Sequence, residues 1–312
     1  MFGRKKNKEV ASKARPIILP ETKGLSLHEI RDAAGFDLGL IVDTPFHQAT
    51  LVLQAADGLL ELHEKDTWLD LVCGADATQG VLAASIISTF CGGDEPDYSF
   101  ITFRTSAAEV KKDLTGFLTS IAVKAPGLYA PEDYEYSWLP LDATRVTELA
   151  NSYLVDADAV QLFPPAAMTG ELHAEYIKHA GRYSVVFEID SNDAAGAEAF
   201  REVHDVLCAS EMPESLRLIR TARPTHSQYR QVHPDVAPSR TSSLLVVTGE
   251  ELDIVDAIVA EILAVLSPRA RLRLLRLTGR QHLGLLQASC LPVYGWQNQK
   301  TFTRTTKSGV VA

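Results

Sequence analysis

The chain has 312 residues, 46% of them hydrophobic and 22% charged, with a mean hydropathy of −0.01. That composition suits a globular protein of about two domains at the usual ~150 residues each, and it excludes a disordered chain, a collagen and a disulfide scaffold. Thirty Lys plus Arg against forty Asp plus Glu leave a formal charge of −10, so the chain as a whole is not built to coat nucleic acid.

Charge is uneven along the chain. Residues 1–16 hold Arg4, Lys5, Lys6, Lys8, Lys13 and Arg15 against Glu9 alone, and residues 267–312 hold eight bases and no acid, so both ends are basic around an acidic body. The first segment reads as a basic disordered tail and 294–312 as a basic polar one. Residues 1–16 lack the apolar stretch of a secretory signal, and neither long uncharged run (77–93, 281–299) has the ~20 apolar residues of a membrane span. A cytoplasmic location is expected, with any membrane association made through partners. Cys73, Cys91, Cys208 and Cys290 form no C-x-x-C pair and read as reduced thiols.

In chain order, 17–35 shows no clear element. The runs LGLIVD (38–43) and QATLVLQA (48–55) around Thr44-Pro45-Phe46-His47 predict a hairpin. Residues 58–72 are ambiguous, 80–90 read as a helix and YSFITFR (98–104) as a strand. Ser106 and Glu109 form a capping box before a helix with Val110, Leu114, Phe117 and Ile121 on one face. The Pro- and Gly-punctuated segment 125–141, with Tyr129, Tyr134, Tyr136 and Trp138, reads as a connection whose aromatics cover a nearby core. Helices are expected over 142–154 and 170–180, the second after Pro164-Pro165.

The C-terminal half is the most regular. YSVVFEID (183–190) alternates as a strand, 193–209 is a helix with Ala197, Phe200, Val203 and Leu207 at helical spacing, and SLRLIRT (215–221) is a second strand. Beyond the polar stretch 222–241, SLLVV (243–247) is a strand, 250–266 a helix with Leu252, Val255, Val259, Ile262 and Leu266 on one face, and RLRLLRL (271–277) a strand. Thr248 to Glu251 and Thr278 to Gln281 have the capping-box form, which leads each strand into a helix. Two β-α-β units in succession predict an α+β protein with a ferredoxin-like (split β-α-β) C-terminal domain at 182–293. A second α+β domain at 17–141 and a helical connection at 142–181 precede it.

Signatures of chemistry are missing. There is no G-x-x-x-x-G-K-[ST], no G-x-G-x-x-G and no G-x-S-x-G. Glu171, Glu175 and His179 would share a face of the expected helix, but no second element offers matching ligands, so a solvated face is the reading. His204 and Cys208 border an apolar stripe and read as core. Asp190-Ser191-Asn192-Asp193 has Ala195 where a calcium loop needs glycine and reads as an N-cap. No catalytic, cofactor-binding or metal-binding residue is assigned. Arg269, Arg271, Arg273 and Arg276 are the candidates for contact with nucleic acid, although alternation with leucine reads first as the wet face of a strand.

The succession YSVVFEIDS (183–191), LRLIRTARPTHSQY (216–229), SLLVVTGEELDIVDAIVAEILAVL (243–266) and LRLLRLTGRQHLGLLQASCLPV (272–293) resembles the N-terminal, non-motor domain of type IV secretion conjugation ATPases and related motor-less actinobacterial conjugation proteins. The matching positions include Arg223, Tyr229 and Leu291-Pro292. The resemblance implies a non-enzymatic cytoplasmic docking component of a conjugation or secretion apparatus, without ATP hydrolysis, whose partners are other components of that apparatus or a second copy of the chain. The alternatives are an accessory protein that binds nucleic acid or anionic membrane through its basic ends, and an unrecognised enzyme or ligand sensor.

Overall fold

The computed structural model describes residues 14–19, 24–56, 58–74, 79–90, 95–106, 113–130, 137–154, 163–164, 168–191, 193–210, 215–225 and 239–289. The capping-box residue Glu109, the link residues 226–238, Tyr134, Tyr136, Cys91, Cys290, Leu291-Pro292, nearly all of tail 1–16 and all of tail 294–312 lie outside them.

Among the described residues thirteen strands, antiparallel at every pairing, form one sheet. They are β1 (Arg15–Leu19), β2 (Leu25–Arg31), β3 (Asp37–Asp43), β4 (Gln48–Ala55), β5 (Val81–Phe90), β6 (Tyr98–Arg104), β7 (Trp138–Pro140), β8 (Met168–Leu172), β9 (Ile177–His179), β10 (Arg182–Ile189), β11 (Ser215–Pro224), β12 (Ser239–Gly249) and β13 (Leu274–Arg276). Among the described residues the α-helices are α1 (Leu62–Cys73), α2 (Leu114–Lys124), α3 (Pro126–Tyr129), α4 (Ala143–Leu154), α5 (Ala194–Cys208), α6 (Leu252–Val265), α7 (Pro268–Arg273) and α8 (Gln281–Gln287). Spatially the order is β1-β8-β9-β10-β12-β11-β5-β6-β4-β3-β2, with β7 on β4 and β13 on β10.

This order contains an internal repeat. From β2 to α4 the chain runs β-β-β-α-β-β-α-α-β-α, and from β8 to α8 it runs through the same sequence of elements. The two units join edge to edge where β5 meets β11, with Ile87 opposite Ile219 at the centre, so an approximate twofold relates them. Registers agree in detail. Thr50 pairs with Thr102 in the first unit as Ser184 pairs with Thr248 in the second, and Ala55 faces Trp138 as Ile189 faces Leu274.

Alternation along the strands sorts side chains to two faces. Leu51, Leu53 and Phe103 pack under α1, α2 and α3, and Val185, Phe187 and Leu245 pack under α5, α6 and α7, giving two separate outer cores. On the opposite face Ile41, Val52, Ile87, Val186, Ile219 and Val246 make one continuous core with Val146 and Leu149 of α4 and Leu285 and Leu286 of α8. The sheet is curved as well. Residues 19 and 25 lie at opposite ends of the strand order, a span of about 48 Å on a flat sheet, yet six residues of extended chain reach only about 21 Å. The ends therefore bend toward each other, and Ile17 of β1 and Leu27 of β2 both pack against that shared inner core.

Several expectations are corrected. The separate ferredoxin-like domain is replaced by half of a thirteen-stranded sheet: β11 continues into β5, β10 also pairs with β9, and helices cover both faces. The helix expected over 80–90 is instead the strand β5 over Val81–Phe90; eight of its ten residues are buried, which removes the alternation that marks a half-exposed strand. The helix expected over 170–180 is the β8–β9 hairpin, so Glu171, Glu175 and His179 never share a helical face. Residues 268–273 are helical because Pro268 opens the turn and the Ser267 hydroxyl accepts from the Ala270 N–H; only Leu274–Arg276 is strand. Residues 58–72 resolve as α1, and 17–35 contains β1 and β2.

Candidate functional site

The four arginines singled out for nucleic acid do not form a free stripe. Arg273 reaches Asp190 at 3.0 Å and Asp193 at 2.9 Å, and Arg276 reaches Glu175 at 2.9 Å and Asp256 at 3.4 Å while its guanidinium lies 5.5 Å from the Phe187 ring centre. Arg269 and Arg271 are exposed on α7. Two of the four charges are therefore already neutralised by carboxylates.

Two places bring together side chains of the kind that catalysis uses. On the inner face, the His179 Nε2 lies 2.7 Å from the Ser184 hydroxyl, which lies 2.7 Å from the Thr248 hydroxyl. A serine beside a histidine suggests a nucleophile and its base, but Ser184 is 0% exposed, so no substrate reaches it. Burial, with help from Arg217 and Arg182, pushes the His179 pKa down to about 3. Thr50 and Thr102, 3.0 Å apart, occupy the corresponding position of the first unit, which marks the pair as a repeated cross-strand bond of the sheet.

The second place is the seam where α1 of the first unit faces α5 of the second across β5 and β11. The Lys65 ammonium, 3.2 Å from Asp97, donates to the Ser88 hydroxyl at 2.8 Å, and Asp97 accepts from the Leu60 N–H at 2.7 Å. Arg220 pairs with Asp66 at 2.8 Å and stacks 4.5 Å from the Phe200 ring centre. Beside them, the Cys208 Sγ lies 3.7 Å from the His204 ring nitrogens. Burial raises the thiol pKa and lowers that of the imidazole, so both are held neutral, the opposite of the thiolate–imidazolium pair that a nucleophilic cysteine needs. Burial also raises the Asp97 and Asp66 carboxyls. Among the described residues no group of three His, Cys, Asp or Glu side chains could hold a metal ion.

A different kind of site lies on the outer surface of the second unit. A groove of about 420 Å³ runs between the C-terminal ends of α5 and α6, lined by Glu202, Asp205, Val206, Ala209, Ser210, Glu261, Ile262 and Val265. The sequence dictates this directly. The core stripes Phe200–Val203–Leu207 and Val255–Val259–Ile262 turn inward, and the positions one step round each helix carry the acids and the outward valines. Neither helix has a basic residue in its last turn, so the negative ends of both dipoles add to three carboxylates, and among the described residues no Lys or Arg lines the groove. Glu202 is engaged, accepting from the Ser267 N–H and, at 2.7 Å, from its hydroxyl, which fixes the turn between α6 and α7. Val265 is 67% exposed at the groove's end, and Leu272 of α7 is 80% exposed nearby in sequence. Sequence reasoning assigned α5 and α6 their inward stripes but singled out none of these outward residues.

No family model matches the chain, and no curated protein does. Among solved structures it is similar to CrmK, a flavoenzyme involved in the shunt product recycling mechanism of caerulomycin biosynthesis, with 11% identity and a TM-score of 0.32 over 77% of this chain and 54% of that one. The chain thus spans about half the length of that protein, and a likeness of this degree carries no argument about fold or chemistry.

Proposed function

We propose that the protein is a docking module that receives a basic, amphipathic segment of a partner protein in the groove between α5 and α6. The observation that carries this reading is the combination of an apolar floor, Val206 and Ile262, with an exposed Val265 at one end and a lining whose charged residues are all acidic, Glu202, Asp205 and Glu261, at two helix C-termini. A segment with aliphatic residues on one side and Lys or Arg flanking them would bury the exposed valine and meet Asp205 and Glu261 with opposite charge. Partners from a conjugation or secretion apparatus are the form of this reading that the sequence resemblance suggests; the acidic groove does not depend on that choice.

The test is titration of a labelled Lys- and Leu-rich amphipathic peptide, compared with its Lys-to-Glu counterpart. The basic peptide is expected to bind saturably, to weaken as salt rises, and to lose at least about tenfold in affinity when Asp205 and Glu261 are both changed to lysine, about 1.4 kcal/mol or more. Lysine at either position complements the helix dipole, so the variant folds. Equal binding of both peptides, or no effect of the double change, would sink the proposal.

A further inference from the structure

The internal repeat exposes a difference between the two ends of the sheet. In the second unit the outer edge of β8 is covered by β1, antiparallel from Arg15–Leu172 to Leu19–Met168, with Ile17 packed against the inner core. In the first unit the corresponding edge belongs to β2, and among the described residues β2 pairs with β3 and with no other strand. The outer edge of β1 is itself blunted, since Pro16 supplies no N–H to a neighbour. Over its seven residues, LSLHEIR, β2 contains no proline. Leu27 on its inner face and Ile30 on its outer face are only partly buried, each packed at the margin of a core.

We infer that the outer edge of β2 is a second docking site, which takes an extended strand of another protein with the chemistry of β1: antiparallel and with aliphatic residues at alternate positions. Main-chain hydrogen bonds to the groups of β2 that no described strand pairs with supply the affinity, and the added strand completes the cover of Leu27 and Ile30 that edge exposure leaves unfinished. β1 serves as the template because the same fold position, in the same chain, is already filled by such a segment. The charges at the end of β2 leave the strand accessible: Arg31 is turned to Asp37 in a bidentate pair, with both bonds 2.9 Å, and Glu29 accepts from the Ala143 N–H at 3.2 Å on the inner side.

The experiment uses the full chain and a capped synthetic peptide of residues 14–19 with valine in place of Pro16. Hydrogen exchange is followed at 25–31 and at 168–172. Saturable slowing of about tenfold at alternate amides of β2, with 168–172 unchanged, is expected, and the same peptide N-methylated along its pairing edge should give none. Protection at 168–172 alone would mean that the peptide displaces β1, and would overturn the inference. So would β2 amides already protected in the isolated monomer and unaffected by peptide. If sedimentation instead shows a dimer whose β2 amides lose protection on dilution, the occupant is a second copy of this chain and the foreign strand is refuted.

Discussion

Acid should unfold this protein partly through one side chain, His179. Its imidazole is 2% exposed, and burial holds its folded pKa near 3 against 6.5 for the free side chain. A base whose folded pKa is depressed binds fewer protons in the native state than in the unfolded chain. Its contribution is therefore intact above about pH 6.5 and is lost progressively as the pH falls toward 3. At pH 4.5 the native imidazole is still neutral, so the loss depends on the unfolded value alone: two pH units at 1.36 kcal/mol each, about 2.7 kcal/mol. That is a large share of a total stability on the order of 5–15 kcal/mol. Urea unfolding at pH 7.5 and at pH 4.5, on the parent and on His179→Gln, isolates the residue, because every other titrating group is common to both chains. The variant is expected to be less stable than the parent at pH 7.5, having lost the imidazole packing, and to lose about 2.7 kcal/mol less between the two pH values. Parallel pH dependence in the two proteins would refute the claim that His179 is buried and neutral.

Lys65→Met leaves Asp97 buried without its cation and should cost about 3–5 kcal/mol, while Lys65→Met with Asp97→Asn, which keeps an acceptor for the Leu60 N–H, should recover most of it in the same unfolding assay. Val259→Asp places a carboxylate in the core beneath α6 and should cost several kcal/mol; a near-neutral result by chemical denaturation would mean the helix is turned the wrong way. At Gly39 a Cβ would lie 2.7 Å from the Asp142 carbonyl, and because that neighbour is backbone, Gly39→Ala should cost about 1–3 kcal/mol through displacement of α4, read as a lower urea midpoint. Of the two described thiols, Cys208 is exposed and Cys73 is buried with its pKa pushed up to about 12, so a maleimide should label Cys208 in the native protein and Cys73 only after unfolding, as peptide mapping will show.

The helices of this fold that were legible in the sequence are those where burial is one-sided. α5 and α6 showed their phase because one stripe of each meets a core while the other meets water; Phe200, Val203, Leu207, Val255, Val259 and Ile262 are all buried as their spacing requires. β5 was illegible for the opposite reason: both faces are covered, so apolar residues follow one another and mimic a helix. YSFITFR read as a strand through its aromatic and β-branched residues, although β6 too is covered on both faces. The hairpin 168–179 was hidden because its strands are only five and three residues long, too short for a period to register. The repeat itself left no trace, since equivalent positions need only equivalent size and polarity: Thr50 with Thr102 does what Ser184 with Thr248 does, and Trp138 against Ala55 fills what Leu274 against Ile189 fills. The groove was illegible because its lining comes from two helices that only the folded sheet sets side by side.

The way the two units are joined determines how the docking proposals can be tested apart. Across the junction the inner core is continuous, and the two outer cores, each of which takes one residue of the other unit's edge strand (Ala222 of β11 and Phe90 of β5), are divided by the charged seam of Lys65, Asp97, Asp66 and Arg220 between α1 and α5. The groove rests on the outer core of the second unit, and β2 lies at the far margin of the first. Charge reversal at Asp205 and Glu261 changes surface groups of α5 and α6; Asp205 approaches the edge of the seam at His204, 3.5 Å away, and the groove lies on the second unit's outer side. Such a change should leave exchange at β2 unaltered, and a strand added at β2 should leave the groove's affinity for a basic peptide unaltered. If instead filling one site shifts the other, the inner core beneath α4 and α8, continuous across the junction at Ile87 and Ile219, is the first route to test, by substitution at those two positions.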